Sequence, residues 1–114
     1  MWLWGNEHTI EYNEFHHLAY DTNDVGLLYL GRDFTTRGNT IKFNFFHNSL
    51  STINDGAGVQ AVYFDDFASG NSVFGNVFYR VNRAVLIGGG HDNSFENNIV
   101  ISCNRVPFLL FYFI

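Results

Sequence analysis

Four segments of this chain repeat one pattern: Asn or His, a hydroxyl residue, an apolar residue, two variable residues, a second Asn, one variable residue, then an apolar one. They are His8–Phe15, Asn39–Phe46, Asn71–Phe78 and Asn93–Val100. The second Asn of successive copies, at 13, 44, 76 and 98, recurs at intervals of 31, 32 and 22 residues. Units this short cannot bury an apolar face alone, so they must stack on one another. A second run recurs between the copies, as Leu27–Leu30, Ala61–Phe64 and Ala84–Ile87, each β-prone and followed by Gly or Asp. The interval from the marker Asn to this run is shortest in the third copy. The extra residues of the first two copies therefore belong at one place, as loops over one face.

Few residues argue for helix. Asn occurs fourteen times, Phe 13 and Gly 11, while good helix formers are scarce. Apolar residues reach 46% and charged ones only 15%, a balance that packs rather than disorders. The reading is an all-β, right-handed parallel β-helix, a solenoid of about three to four coils over residues 6–103. Its Asn residues form ladders, because the amide tolerates left-handed backbone and bonds both backbone and the Asn of the next coil. Asn13, Asn44, Asn76 and Asn98 make one column, and Asn39, Asn71 and Asn93 another. With layers about 4.8 Å apart, equivalent apolar residues also stack. Ile10, Ile41, Val73 and Phe95 form one internal column, Phe15, Phe46, Phe78 and Val100 a second, and Leu28, Val62 and Val85 a third.

A formal charge of −5 with a single Lys excludes the basic surface that nucleic acid or anionic lipid would need. Cys103 is alone, so no intrachain disulfide forms, and no Cys/His spacing resembles a structural zinc site. Met1–Gly5 lacks the basic flank and apolar stretch of a signal peptide. The apolar tail within residues 104–114 falls far below the roughly 20 residues of a membrane-spanning helix.

The runs Gly31-Arg32-Asp33, Arg37-Gly38-Asn39-Thr40-Ile41, Tyr63-Phe64-Asp65-Asp66, Ala68-Ser69-Gly70-Asn71 and Ile87-Gly88-Gly89-Gly90 resemble those of right-handed parallel β-helix repeat proteins of the pectate-lyase-like superfamily. The resemblance implies a secreted or cell-surface setting, a polysaccharide partner and a longer parent β-helix of which this chain is a piece. It does not by itself choose a reaction.

The residues carry several candidate chemistries. Strand alternation turns Tyr29 and Tyr63 outward, as sugar platforms or as plain packing. Asp33, Asp65 and Asp66 stand at one corner of adjacent coils, beside Arg32. Glycoside hydrolysis needs two converging carboxyl groups, and like-charge crowding would raise one pKa toward that of a general acid. The same aspartates also suit a solvated turn or a weak Ca²⁺ site at Asp65 and Asp66. A lyase would need a basic residue at the reacting centre, and Lys42 lies elsewhere, within a strand. His16 and His47 fall in one column with Tyr79, next to loops carrying Asp21, Asp24 and Asp55. They suit binding of sugar hydroxyls or proton transfer, or structural stacking alone. His91, after Gly88-Gly89-Gly90, matches the corner of Asp33 and Asp65 and would border the same groove. The leading expectation is a glycoside hydrolase fragment. A non-catalytic structural or glycan-binding solenoid is the alternative, a polysaccharide lyase a further one, and the isolated chain is expected to need its parent.

Overall fold

A computed structural model describes residues 1–53 and 56–110, with backbone alone at 108 and 109, and in it the repeats become strands. The described residues form β1 (Thr9–Glu11), β2 (Glu14–His16), β3 (Val25–Leu30), β4 (Thr40–Lys42), β5 (Phe45–Ser49), β6 (Val59–Phe64), β7 (Ser72–Phe74), β8 (Val77–Val81), β9 (Arg83–Ile87), β10 (Ser94–Glu96), β11 (Ile99–Ile101) and β12 (Phe108–Leu110), with no helix among them. Three separate four-stranded sheets result, in the orders β1-β4-β7-β10, β2-β5-β8-β11 and β3-β6-β9-β12. Every pairing between these strands is parallel. The chain visits the three sheets in one fixed sequence and then returns to the first. Parallel neighbours need a crossover between them, and here the two intervening strands supply it. The all-β expectation is met, and the parallel sheets fit a β-helix-like solenoid.

Register follows the apolar columns. Ile10, Ile41, Val73 and Phe95 pair in succession, as do Phe15, Phe46, Phe78 and Val100. The rings of Phe15, Phe46 and Phe78 stack at centroid distances of 4.6 and 5.1 Å. Leu28, Val62 and Val85 line up in the third sheet. The inner members of all three columns are fully buried and form one core.

Both expected Asn columns are ladders with a direction. Asn13, Asn44 and Asn76 each donate a backbone N–H to the Oδ1 of the next Asn, at 3.0, 2.9 and 2.8 Å. The amide nitrogens of these three residues repeat the link at 3.1, 3.0 and 3.0 Å. Asn39 and Asn71 behave likewise, donating to Asn71 and Asn93 at 3.2 and 3.1 Å. The left-handed backbone, however, lies one residue earlier than expected. Tyr12, Phe43, Gly75 and Asn97 have positive φ, as do Glu7, Gly38, Gly70 and Asp92, whereas the ladder asparagines that follow them do not. The preceding residue makes the bend, and the Asn side chain then secures it.

A third ladder escapes the repeat pattern. Asn82 Oδ1 accepts from the Ser51 and Val59 amides at 2.9 and 3.0 Å, and Asn82 Nδ2 donates to Asn104 Oδ1 at 3.0 Å. Insertions hide it: residue 82 alone joins β8 to β9, where residues 17–24 and 50–58 join the equivalent earlier strands. These two segments are tied together, Thr52 N–H donating to the Tyr20 carbonyl at 2.7 Å and Asp24 N–H to the Gly58 carbonyl at 2.9 Å. Buried Arg83 holds the second from below, donating to the Ala57 carbonyl at 3.3 Å and to Gln60 Oε1 at 2.9 Å.

Parallel pairing extends on both sides of residues 6–103. Trp2 bridges to Tyr29, flanked by bonds between Leu3 N–H and the Tyr29 carbonyl and between Tyr29 N–H and the Met1 carbonyl, both 2.9 Å. At the other end β12 adds to β9. Among the described residues no helix is long and apolar enough to cross a membrane.

Candidate ligand cleft

Alternation along β3 and β6 buries Leu28, Leu30, Val62 and Phe64 in the core and leaves Tyr29 and Tyr63 on the opposite face. That face is not an open platform. The loops and the N-terminal segment close over it until Tyr63 is only 8% exposed. What remains is a cleft of about 390 Å³ lined by Trp2, Asp24, Val25, Tyr29, Arg32, Tyr63 and Asp65. Trp2 meets Tyr29 edge to face at 5.7 Å, and Tyr29 meets Tyr63 in the same way at 5.4 Å. The three rings thus form a continuous aromatic wall.

Asp65 stands at the end of β6 with Gly31 beside it in the preceding layer and Gly88 in the following one. A Cβ on Gly31 would lie 2.5 Å from the Asp65 Cβ, so glycine is what permits the layers to close around a buried carboxylate. The Tyr29 hydroxyl donates to Asp65 Oδ2 at 2.7 Å, Arg32 Nε donates to the same oxygen at 3.2 Å, and the Asp66 amide donates to Oδ1 at 2.9 Å. Burial pushes the Asp65 carboxyl pKa up, but the Tyr29 hydroxyl, the Asp66 amide and the Arg32 guanidinium together hold it below the ordinary Asp value. Asp65 is therefore an ionised acceptor at neutral pH. On the far side of the cleft the Tyr63 hydroxyl donates to Asp24 Oδ1 at 3.2 Å. Burial, and then the carboxylates of Asp65 and Asp24, raise the Tyr63 pKa.

Tyr29 is pushed up to about 12, first by burial and then by its bond to Asp65. A folded-state pKa above the ordinary tyrosine value of about 10 means stability present below that value and lost as pH rises toward 12. In an absorbance titration at alkaline pH, Tyr29 is expected to ionise after the exposed tyrosines. Asp65→Asn should bring that late step down, and an unchanged step would refute the coupling.

The other expected site residues lie elsewhere. Asp33 Oδ1 accepts from the Thr35 amide at 2.8 Å and the Thr35 hydroxyl at 2.7 Å, and Oδ2 accepts from the Thr36 hydroxyl at 3.4 Å. These bonds lower its pKa, so Asp33 and Asp65 both shift opposite to the rise expected from crowding. Asp33 closes a local turn, which the run Asp33-Phe34-Thr35-Thr36 could have revealed. Neither Asp33 nor Asp66 lines the cleft. At Asp65 the Arg32 guanidinium supplies a counter-charge. Among the described residues no group of three His, Cys, Asp or Glu side chains is arranged to hold a metal.

His16 and His47 do stack, with centroids 5.1 Å apart, and Tyr79 follows in register. His47 Nε2–H donates to Glu14 Oε1 at 2.7 Å, and this bond is the main reason the Glu14 pKa is lowered. The column belongs to the second sheet, away from the cleft on the third. His91 is likewise separate. Its layer partner is Ser69 rather than Asp65, through a bond of 3.1 Å from the His91 amide to Ser69 Oγ, and its ring bonds Asp92 at 2.8 Å. The position equivalent to Asp65 is Gly88, because Phe64 pairs with Ile87 and each is the last residue of its strand. Asp55 lies outside the described residues. Conversely, Trp2 and Asp24 complete the cleft although no repeat marks them, since one lies before the first copy and the other in an insertion. The chain matches no protein-family model, no curated protein and no solved structure.

Proposed function

We propose that this chain is a glycan-binding stretch of a right-handed parallel β-helix, with the Trp2–Tyr29–Tyr63 cleft as its sugar site. Crossovers between parallel strands are right-handed in roughly 98% of cases, which supports that hand for the circuit through the three sheets. The observation that carries the binding reading is the pairing of an aromatic wall with two ionised or hydrogen-bonded carboxylates and a guanidinium in one cleft. A pyranose offers an apolar C–H face and a rim of hydroxyls. Aromatic faces suit the first, while Asp24, Arg32 and Asp65 suit the second. The resemblance to the pectate-lyase-like superfamily points the same way, toward a polysaccharide met outside the cell by a longer parent.

Binding is the better-supported reading because Asp65 is held ionised, whereas a general acid must hold a proton near neutrality. Hydrolysis is kept as a second reading by one observation: Asp24 and Asp65 line the same cleft, as a carboxylate pair should. An affinity screen against neutral and acidic oligosaccharides tests the first reading. Trp2 is 65% exposed, so Trp2→Ala leaves the core intact and should weaken binding at least tenfold. Equal affinity in the variant would remove the cleft from the account. Release of reducing ends by the wild type, abolished in both Asp24→Asn and Asp65→Asn, would favour hydrolysis instead.

A further inference from the structure

A second concavity, of about 320 Å³, lies at the corner between the second and third sheets and is lined by His17, Tyr20, Asn48, Leu50 and Arg80. Its chemistry is the reverse of the first. Among the described residues no carboxylate lines it and the one permanent charge is the Arg80 guanidinium, on a chain with a net charge of −5. Arg80 is exposed and forms no ion pair or hydrogen bond among the described residues, and it sits 6.0 Å from the Tyr79 ring centroid. His17 Nδ1 hydrogen-bonds His16 Nδ1 at 2.7 Å, and in the tautomer in which His16 is the donor the His17 Nε2–H is left without a partner among the described residues. Asn48 Nδ2 bonds His47 Nδ1 at 3.1 Å and retains a second N–H. The Tyr20 hydroxyl donates to the Asn48 carbonyl at 3.1 Å, which fixes one wall.

The backbone brings these donors together. His16, His47 and Tyr79 are in register, so the residues that follow them, His17, Asn48 and Arg80, occupy one column. All three have left-handed φ, of 54°, 49° and 53°. The two other bend columns meet that requirement with glycine at Gly38, Gly70 and Gly75 and, in one inner layer, with Phe43. This one carries a hydrogen-bonding side chain at each of His17, Asn48 and Arg80, of which Arg80 is the type least suited to that conformation.

We infer that this corner is an oxyanion site, in which Arg80, His17 and Asn48 hold a small carboxylate or sulfate group. The planar guanidinium supplies a paired-donor face for two oxygens, and the His17 and Asn48 N–H groups take the remaining lone pairs. The site is separate from the aromatic cleft and does not rest on the glycan reading. The test is titration of the full chain with sodium sulfate and, separately, sodium acetate, at ionic strength held constant with chloride. Side-chain N–H signals of Arg80 and His17 are followed by NMR. Saturable shifts at both residues are expected, at least tenfold weaker binding in Arg80→Gln, and an intermediate loss in Arg80→Lys, which keeps the charge without the fork. Saturation with sulfate alone would assign a tetrahedral anion, and saturation with acetate alone a carboxylate. Shifts that never saturate with either salt, or that persist unchanged in Arg80→Gln with native circular dichroism, would overturn the proposal.

Discussion

Replacing Asn76 with alanine is expected to remove about 3–5 kcal/mol of stability in a urea titration, because each buried polar group left without a partner costs about 1–3 kcal/mol. Asn76 is fully buried. Its Oδ1 accepts from the Asn44 backbone and side-chain amides at 2.9 and 3.0 Å. Its Nδ2 donates to the Ile41 and Phe74 carbonyls and to Asn98 Oδ1, at 2.9, 3.2 and 3.0 Å. Alanine abandons all five of these bonds in three consecutive layers. Asn76→Asp would be no milder, since it keeps the acceptor yet turns a second oxygen toward three acceptors. The introduced carboxyl would then titrate above its ordinary value, so the loss should shrink as pH falls and the carboxyl takes a proton. Asn13 gives the contrast. It is exposed at the first layer, and Asn13→Ala should cost under about 1 kcal/mol. Equal losses for Asn13→Ala and Asn76→Ala would mean that the ladder does not act as a connected column.

Phe46→Ala carries the other large effect. Phe46 is fully buried between Phe15 and Phe78, its ring within 8° and 14° of parallel to theirs. Truncation removes the ring and leaves a void between two layers whose separation is set by backbone hydrogen bonds, so little collapse can fill it. A loss of about 3–5 kcal/mol is expected, against a total of roughly 5–15 kcal/mol for a domain of ordinary stability. Leucine restores much of the volume and should recover more than half. Phe15, only half-buried at the first layer, should tolerate alanine far better. A Phe46→Ala midpoint matching the wild type would show that the column is not a core.

The layers were legible in the sequence wherever each one requires the same chemistry. A buried bend needs one amide in every layer, so Asn13, Asn44, Asn76 and Asn98 recur, and the apolar columns recur with them. Legibility failed where a layer meets the same need with different groups. The third ladder offers the amides of Ser51 and Val59 to Asn82, which no residue-type pattern can register. The bend itself was misplaced by one residue, because Asn is usually the residue that accepts left-handed backbone and here Tyr12 and Phe43 do so instead. The cleft was half legible. Tyr29, Arg32, Tyr63 and Asp65 followed from alternation and register, while Trp2 and Asp24 come from segments outside the repeats. Asp33 and His91 share the corner in sequence but not the layer position, since register sets Gly31 and Gly88 level with Asp65.

The sugar cleft is tested most directly by following the Trp2 indole N–H and the Arg32 Nε–H by NMR while the tightest oligosaccharide of the screen is titrated in. Saturable shifts at Trp2 and Arg32 with a common dissociation constant are expected, together with loss of the Arg32 shift in Trp2→Ala. Shifts confined to other faces, or none at Trp2 and Arg32 with any oligosaccharide, would contradict the sugar cleft.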